Sequence, residues 1–374
     1  MRILYVTDAL AVWGGIERVL CDKTNYLVEH YGYDVYIVTT DQGDHPIPYP
    51  LDDRIHVQDL KIKLHSQYKH RGLKRLYAYR KLNLLFLNNL KTTIENISPD
   101  IIVCIKLDFI STIIKAKNNI PLLCESHSMC YSTIYDRSSV WNRIKHFYIR
   151  RIIKNADCIV ALTEGDANDW RNYTKHVCVI PNVVQLNHSG RYSLLNSKRA
   201  IFVGRFSSQK DVWSLLKIWC IVQLRHPDWE LHVYGEGEDK AKFESVVKEK
   251  DLHIRVFEPT SQIFDKYLDS SLLLLTSRYE PFGLVLPEAM SCGLPVVAFN
   301  CPYGPADIIT NGFDGFLIER HNIVDFAEKI CQLIEDKSLR QRMGHRAKDV
   351  SCRYTEEKIM PQWVALFEKI QLQM

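Results

Sequence analysis

Apolar residues along this chain fall in short, nearly unbroken runs, each closed by a polar or glycine-containing loop and followed by a stretch with helical spacing. Runs at 3–7, 35–40, 55–59, 100–105, 121–124 and 156–162 predict strands in the first half, and runs at 200–203, 230–234, 255–259, 272–275 and 295–299 predict strands in the second. Continuous rather than alternating apolar runs suit strands covered on both faces, as in parallel sheets. Helical spacing follows Gly14-Gly15, through Ile16, Val19, Leu20 and Leu27, and a long helix is predicted over 72–97, with Leu73, Leu76, Tyr77, Leu84, Leu87 and Leu90 on an apolar side and Lys and Arg opposite. Three more helical stretches, 322–335, 337–350 and 356–371, close the chain. Strands alternating with helices imply an α/β protein, and 374 residues exceed one ordinary core, so two domains are expected.

The stretch 272–305 holds the densest set of residues that packing alone does not explain. A buried strand ends at Thr276-Ser277, a loop carries Glu280, Pro281 and Gly283, a helix starting near Gly283–Leu284 carries Glu288, and Gly293 and Pro295 stop it before the next strand. Strand ends and helix starts of this kind build the ligand crevice of an open α/β sheet, where free N–H groups suit an anion. Glu280 and Glu288 are eight residues apart, roughly 12 Å on an unbroken helix, which suits two grips on one elongated ligand. Earlier, Gly204-Arg205 follow the strand at 200–203 and Lys210 is expected at the start of a helix; a planar guanidinium fork with a mobile ammonium suits a diphosphate. Gly14-Gly15 before a helix would allow backbone N–H groups close to a phosphate or sugar, and His127 stands just past a strand end, at a crevice.

Glu-Pro-Phe-Gly-Leu-Val-Leu-Pro-Glu-Ala-Met-Ser-Cys-Gly-Leu-Pro-Val-Val-Ala, from Glu280, resembles the donor-site signature of the retaining GT-B glycosyltransferases, family 4 (glycosyl transferases group 1). Ile180-Pro181-Asn182 and the Gly-Arg…Lys spacing from Gly204 are similar to further motifs of that family. The resemblance implies two Rossmann-like domains whose parallel sheets face each other across a cleft. The first, 1–185, would bind the acceptor, with the helix from about 356 to 374 packing back on it; the second, 186–355, would bind the donor. The polar stretch 187–198 would be the linker between them. It further implies His127, Glu280, Arg205 and Lys210 as catalytic residues, and donor contacts from Gly14, Gly15, Gly204, Gly235, Pro281, Phe282, Gly283, Leu284 and Glu288. The loop Cys301–Pro305 resembles members that use UDP-sugars. Transfer of a hexose or N-acetylhexosamine to a saccharide or lipid-linked saccharide is implied, and with no Asp-x-Asp triplet in the sequence, neither a metal nor another cofactor is expected. An epimerase on this architecture would need a separate acid–base set and a phosphorylase a pyridoxal lysine site, neither of which the sequence displays; a non-catalytic sugar-nucleotide binder would not need Arg205, Lys210, Glu280 and Glu288 together.

A net charge of +4 is too small to imply a nucleic-acid partner, but its distribution matters more. Residues 61–91 contain nine Lys or Arg and no acidic residue, interleaved with Tyr68, Tyr77, Tyr79 and Phe86, and a second acid-free basic run spans 143–154. Such faces suit a peripheral contact with an anionic membrane. Eleven cysteines without a CxxC pair imply reduced thiols, and the N-terminus MRILYVTDAL has too short an apolar run for a signal peptide, so a cytoplasmic enzyme is expected, with the basic faces suiting a peripheral place on the inner membrane face. Trp13, before the paired glycines, is expected to pack or shape that loop.

Overall fold

The computed structural model describes residues 1–130 and 147–372. The chain forms two compact units, Met1–Val183 with Glu356–Met374, and Val184–Thr355. In the first unit the elements run β1 (Arg2–Thr7), α1 (Gly15–Tyr31), β2 (Asp34–Thr39), β3 (His56–Asp59), α2 (Gly72–Ile97), β4 (Ile101–Cys104), α3 (Ile110–Ala116), β5 (Leu122–Ser126), β6 (Cys158–Ala161), α4 (Glu164–Arg171) and β7 (Val177–Val179). All strand pairs are parallel, in the order β3-β2-β1-β4-β5-β6-β7. The order reverses direction between β1 and β4, so a crevice opens at the carboxyl ends of those strands. Because side chains alternate across a strand, Leu122 and Cys124 enter the core on one face, under α2 and α3, while Leu123 joins Ile3, Tyr5, Leu20 and Leu27 on the other. That second face is completed by the C-terminal helix, which contributes Ile359, Met360, Trp363 and Phe367. α1 ends where Gly32 turns left-handed at φ 61° and its N–H closes on the Leu27 and Val28 carbonyls, a geometry that favours glycine.

The second unit runs β8 (Arg199–Val203), α5 (Val212–Arg225), β9 (Glu230–Tyr234), α6 (Lys240–Glu249), β10 (Ile254–Phe257), α7 (Ile263–Leu268), β11 (Leu272–Leu275), α8 (Val285–Ser291), β12 (Val296–Phe299), α9 (Gly304–Ile308), β13 (Gly315–Ile318), α10 (Ile323–Glu335) and α11 (Lys337–Ser351), before α12 (Glu356–Gln371) returns to the first unit's core. Its parallel sheet has the order β10-β9-β8-β11-β12-β13, and reverses direction between β8 and β11. Two parallel sheets of seven and six strands covered by helices make this an α/β protein of two Rossmann-like units.

Three expectations need correction. α2 has the expected span, but of its expected apolar side only Leu90 is fully buried; Phe86, Ile94 and Ile97, outside that set, pack beside it, whereas Leu73, Tyr77 and Leu84 are 84%, 72% and 59% exposed. The 187–198 stretch is no free linker, because Asn187 N–H donates to Ser291 Oγ at 3.0 Å, Ser193 N–H to the Cys292 carbonyl at 2.9 Å and Ser193 Oγ to the Ser270 carbonyl at 2.5 Å, all within the second unit. Lys210 does not start a helix either; α5 begins at Val212, and Asp211 caps it. Of the basic run 143–154, residues 143–146 lie outside the described residues.

Candidate active site

In the second unit, the residues singled out converge at the reversal of strand order. Gly204 and Arg205 directly follow β8, and Thr276 to Glu280 follow its neighbour β11. Thr276 Oγ1 donates to the Lys210 carbonyl at 3.0 Å, tying the two strand ends together. The Lys210 ammonium forms an ion pair with Glu280, and Ser277 Oγ–H donates to the same Glu280 oxygen at 2.6 Å. The Glu280 main chain is pinned as well: its N–H donates to the Pro302 carbonyl at 2.7 Å, and its carbonyl accepts from Tyr303 and Gly304 N–H at 2.9 Å. Arg205, next to Gly204 in the same loop, is exposed. Asp211 holds the loop by accepting Ser214 N–H at 3.3 Å and pairing with Arg278 at 3.2 Å. Glycine is demanded at two close approaches: a Cβ on Gly235 would lie 2.0 Å from the Gly204 carbonyl oxygen, and one on Gly304 would lie 1.8 Å from that of Phe282.

Glu288, in the first turn of α8, is buried and accepts Tyr267 Oη–H at 3.2 Å. Gly283, at φ 94°, turns the chain into the short helix, and its carbonyl accepts Leu286 N–H at 3.0 Å. Leu284 is the residue before α8 begins, so the helix starts one residue later than the spacing suggests. Phe282 is buried and meets Tyr354 edge-on at 5.2 Å, which makes its ring a packing element; Pro281 lies half-buried between it and Glu280.

The first unit has its own cluster at the crevice end of its sheet. Asp8 and Lys106, past β1 and β4, form an ion pair. Gly14 caps α1 without a side chain, and a Cβ there would meet Glu17 Oε2 at 2.1 Å, so the helix start already holds the chain's own carboxylate. Gly15 is the first helical residue behind it. A phosphate at Gly14-Gly15 would require Glu17 to move. Burial raises the Glu17 carboxyl above its usual range, with the Asp8 charge adding to that, while its own backbone N–H, Lys106 and His127 act the other way. Trp13 is 68% exposed and meets Tyr49 edge-on at 5.1 Å.

His127 follows β5 and is buried, its Nε2 lying 3.0 Å from Glu125 Oε2. The other Glu125 oxygen pairs with Lys23 of α1. On the opposite face of the strand, Asp166 accepts Ser126 Oγ–H and Cys130 N–H, both at 2.6 Å, and Trp170 Nε1–H donates to Ser126 Oγ at 2.9 Å. Burial pushes the Asp166 carboxyl up to about 6 against these donors. The segment carrying His127 is therefore clamped from both faces.

The structure thus gathers Gly204, Arg205, Lys210, Gly235, Glu280, Gly283 and Glu288 around one end of the second sheet, and places Gly14, Gly15 and His127 at the corresponding end of the first. Sequence reading missed Lys23, Glu125 and Glu17 as partners, and Ser277 and Tyr267 as the groups that orient the two glutamates. A signal existed for the buried pair: Lys23 lies three residues after Leu20 and four before Leu27, on the apolar side of α1, and Glu125 ends an otherwise apolar strand.

Comparison with known proteins places this geometry in a family. Residues 13–188 match the family described as Glycosyltransferase Family 4, and residues 190–350 match Glycosyl transferases group 1. An uncharacterized glycosyltransferase of Haemophilus influenzae is 27% identical over 94% of this chain and 95% of its own, and the amylovoran biosynthesis glycosyltransferase AmsD of Erwinia amylovora is 26% identical over 97% and 98%. Among solved structures, a TarM variant of S. aureus in complex with fondaparinux, alpha-GlcNAc-glycerol and UDP superposes with a TM-score of 0.80 at 18% identity, covering 98% of this chain and 99% of that one. With both halves matched and the GT-B fold shared, the chain belongs to the group 1, family 4 glycosyltransferases.

Proposed function

We propose that this chain transfers a hexose or N-acetylhexosamine from a UDP-sugar to a hydroxyl of a saccharide or lipid-linked saccharide, with retention at the anomeric carbon, in building a cell-surface polysaccharide or glycoconjugate. The observation that carries this reading is the convergence of Lys210, Ser277 and Glu280 where β8 and β11 end side by side, with buried Glu288 in the helix that follows. Glu288 would accept hydrogen bonds from the ribose hydroxyls and Glu280 from hydroxyls of the moving sugar, since each carboxylate offers two acceptor oxygens to a diol. Arg205 and Lys210 would take up the charge that develops on the departing diphosphate, the stage at which stabilisation accelerates the reaction. Lys210 is already paired with Glu280, so each charge is held in place before the donor arrives. His127 would meet the transferred sugar. The reaction as read needs no metal, Arg205 and Lys210 being the two cations offered to the diphosphate.

Two relatives support the finer points: AmsD is named for amylovoran biosynthesis, and the TarM structure contains UDP. The exposed leucines and tyrosines of α2, interleaved with Lys74, Arg75, Arg80 and Lys81, favour a peripheral contact with anionic lipid, the surface on which a lipid-linked acceptor would be met. No described helix is long and apolar enough to cross a membrane.

The test needs no acceptor. The protein is incubated with UDP-glucose, UDP-galactose, UDP-N-acetylglucosamine or GDP-mannose, with and without EDTA, while nucleoside diphosphate release and the first-formed anomer of the freed sugar are followed by proton NMR. UDP release indifferent to EDTA, with the α-anomer appearing first, is the expected result. First appearance of the β-anomer would overturn retention, and abolition by EDTA would overturn metal independence.

A further inference from the structure

Lys23 and Glu125 are charged, lie in the first unit's core and are only 1% and 2% exposed. α1 presents Leu20, Lys23 and Leu27 to the sheet, and Glu125 points toward that helix because Leu123, two residues earlier on the same strand, packs there. The ammonium has an unusual setting. Its hydrogen-bonding partner is Glu125, and aromatic rings line its surroundings, with the Trp363 centroid at 4.0 Å and that of Tyr5 at 5.2 Å. Burying two ions costs more than their attraction often returns, and a pair of apolar side chains commonly serves a core as well. Stability therefore does not explain the pair. Its third member does: Glu125 Oε2 lies 3.0 Å from His127 Nε2, at the strand end that faces the crevice.

We propose that Lys23 and Glu125 are positioning residues for transfer, holding His127 with its proton on Nε2 so that Nδ1 is left as an acceptor for a hydroxyl of the transferred sugar. This rests on the reading that His127 meets that sugar. A carboxylate can only accept, so a hydrogen bond to it fixes the proton on the near ring nitrogen and, with it, the role of the far one. Although burial acts to raise the Glu125 carboxyl, the Lys23 charge and the His127 hydrogen bond bring it down to about 2, which keeps it an acceptor throughout the neutral range. Lys23 thus acts at one remove: it keeps Glu125 ionised in a core that would otherwise favour the acid. The clamp of Asp166 on Ser126 and Cys130, on the other face of β5, fixes the backbone while Glu125 fixes the ring.

The experiment uses full-length protein labelled with 15N-histidine, with His127→Ala to assign the resonance. Wild type is expected to show His127 as the Nε2–H tautomer; an Nδ1–H tautomer would overturn the proposal without any variant having to fold. The double variant Lys23→Met/Glu125→Leu removes both charges together and so avoids stranding one. It is expected to fold, to lose the fixed tautomer, and to release UDP from the UDP-sugar used by wild type at least tenfold more slowly, while its affinity for UDP, which lacks the sugar, changes less than twofold. Combining it with His127→Ala is expected to add less than a further twofold. If His127→Ala is slowed but the double variant keeps both full turnover and the tautomer, the positioning role is wrong and the role of His127 stands. If His127→Ala releases UDP at the wild-type rate, the underlying reading of His127 fails, and the proposal with it.

Discussion

A carboxylate in a protein core is defined by what neutralises it, and the buried glutamates of this chain are answered differently. Glu280 has a lysine and a serine, Glu288 a tyrosine, Glu125 a lysine and a histidine. Glu125 titrates near 2 when folded against about 4.5 for the ordinary group, so its folded value is depressed. The preference of the fold for its ionised over its protonated form is complete above pH 4.5 and is lost as pH falls toward 2. Acid unfolding followed by circular dichroism is therefore expected to be less steep over that window in Lys23→Met/Glu125→Leu than in wild type; equal slopes would mean the pair is not ionised in the fold. Glu280→Gln removes the partner of Lys210 but keeps a hydrogen-bond acceptor, and is expected to reduce UDP-sugar turnover at least tenfold while weakening UDP binding less, as calorimetry would show. The sequence displayed Lys210, Glu280, Glu288 and His127 and hid the groups that orient them. Glu280 and Glu288 were legible from their spacing, whereas Tyr267 and Ser277 became relevant only once folding brought β11, α7 and α8 together, because no local pattern encodes a contact between separate elements.

At the level of single elements, loop geometry makes the sharpest predictions. Asp211 sits at φ 49° and caps α5 with its side chain. Asp211→Ala loses the cap and places an ill-suited residue in a left-handed conformation, together about 1–3 kcal/mol, whereas Asp211→Asn, which suits both, is expected to keep most of the stability in urea denaturation. Gly235→Ala would drive a Cβ to within 2.0 Å of the Gly204 carbonyl oxygen. Displacement of that loop is expected to weaken UDP binding at least tenfold and to cost about 1–3 kcal/mol. Helix α2 carries the third prediction: replacing Lys74, Arg75, Arg80 and Lys81 with Gln is expected to abolish cosedimentation with phosphatidylglycerol vesicles. Unchanged binding, or none by wild type, would remove the membrane contact. The strands were the most legible elements, since an unbroken apolar run has few other homes than a sheet covered on both faces. α2 was legible in length but not in burial. Periodicity shows which residues share a side, and says nothing about whether another element covers it; here the sheet and α3 cover only the C-terminal half of the helix.

Over the whole molecule, the two sheets repeat one plan. Each is parallel, each reverses strand order once, and each gathers its charged residues at the carboxyl ends of the strands flanking that reversal. That plan was readable from the alternation of apolar runs with helical stretches. The division of the chain was less so: 187–198 looks like a linker by composition, yet its polar side chains and N–H groups are spent on hydrogen bonds to the second unit, and composition alone cannot distinguish a solvated segment from one pinned by serines and asparagines. In the proposed reaction the second unit binds a nucleotide sugar through Glu288 and the Lys210–Glu280 pair. A thermal-shift titration of wild type and Glu288→Ala with uridine, guanosine and adenosine diphosphates and their sugars tests it most directly, since a ligand of the folded state raises its midpoint by mass action. A shift with UDP and one or more UDP-sugars that Glu288→Ala abolishes is expected; equal shifts in both proteins, or none with any nucleotide at millimolar concentration, would rule this binding out.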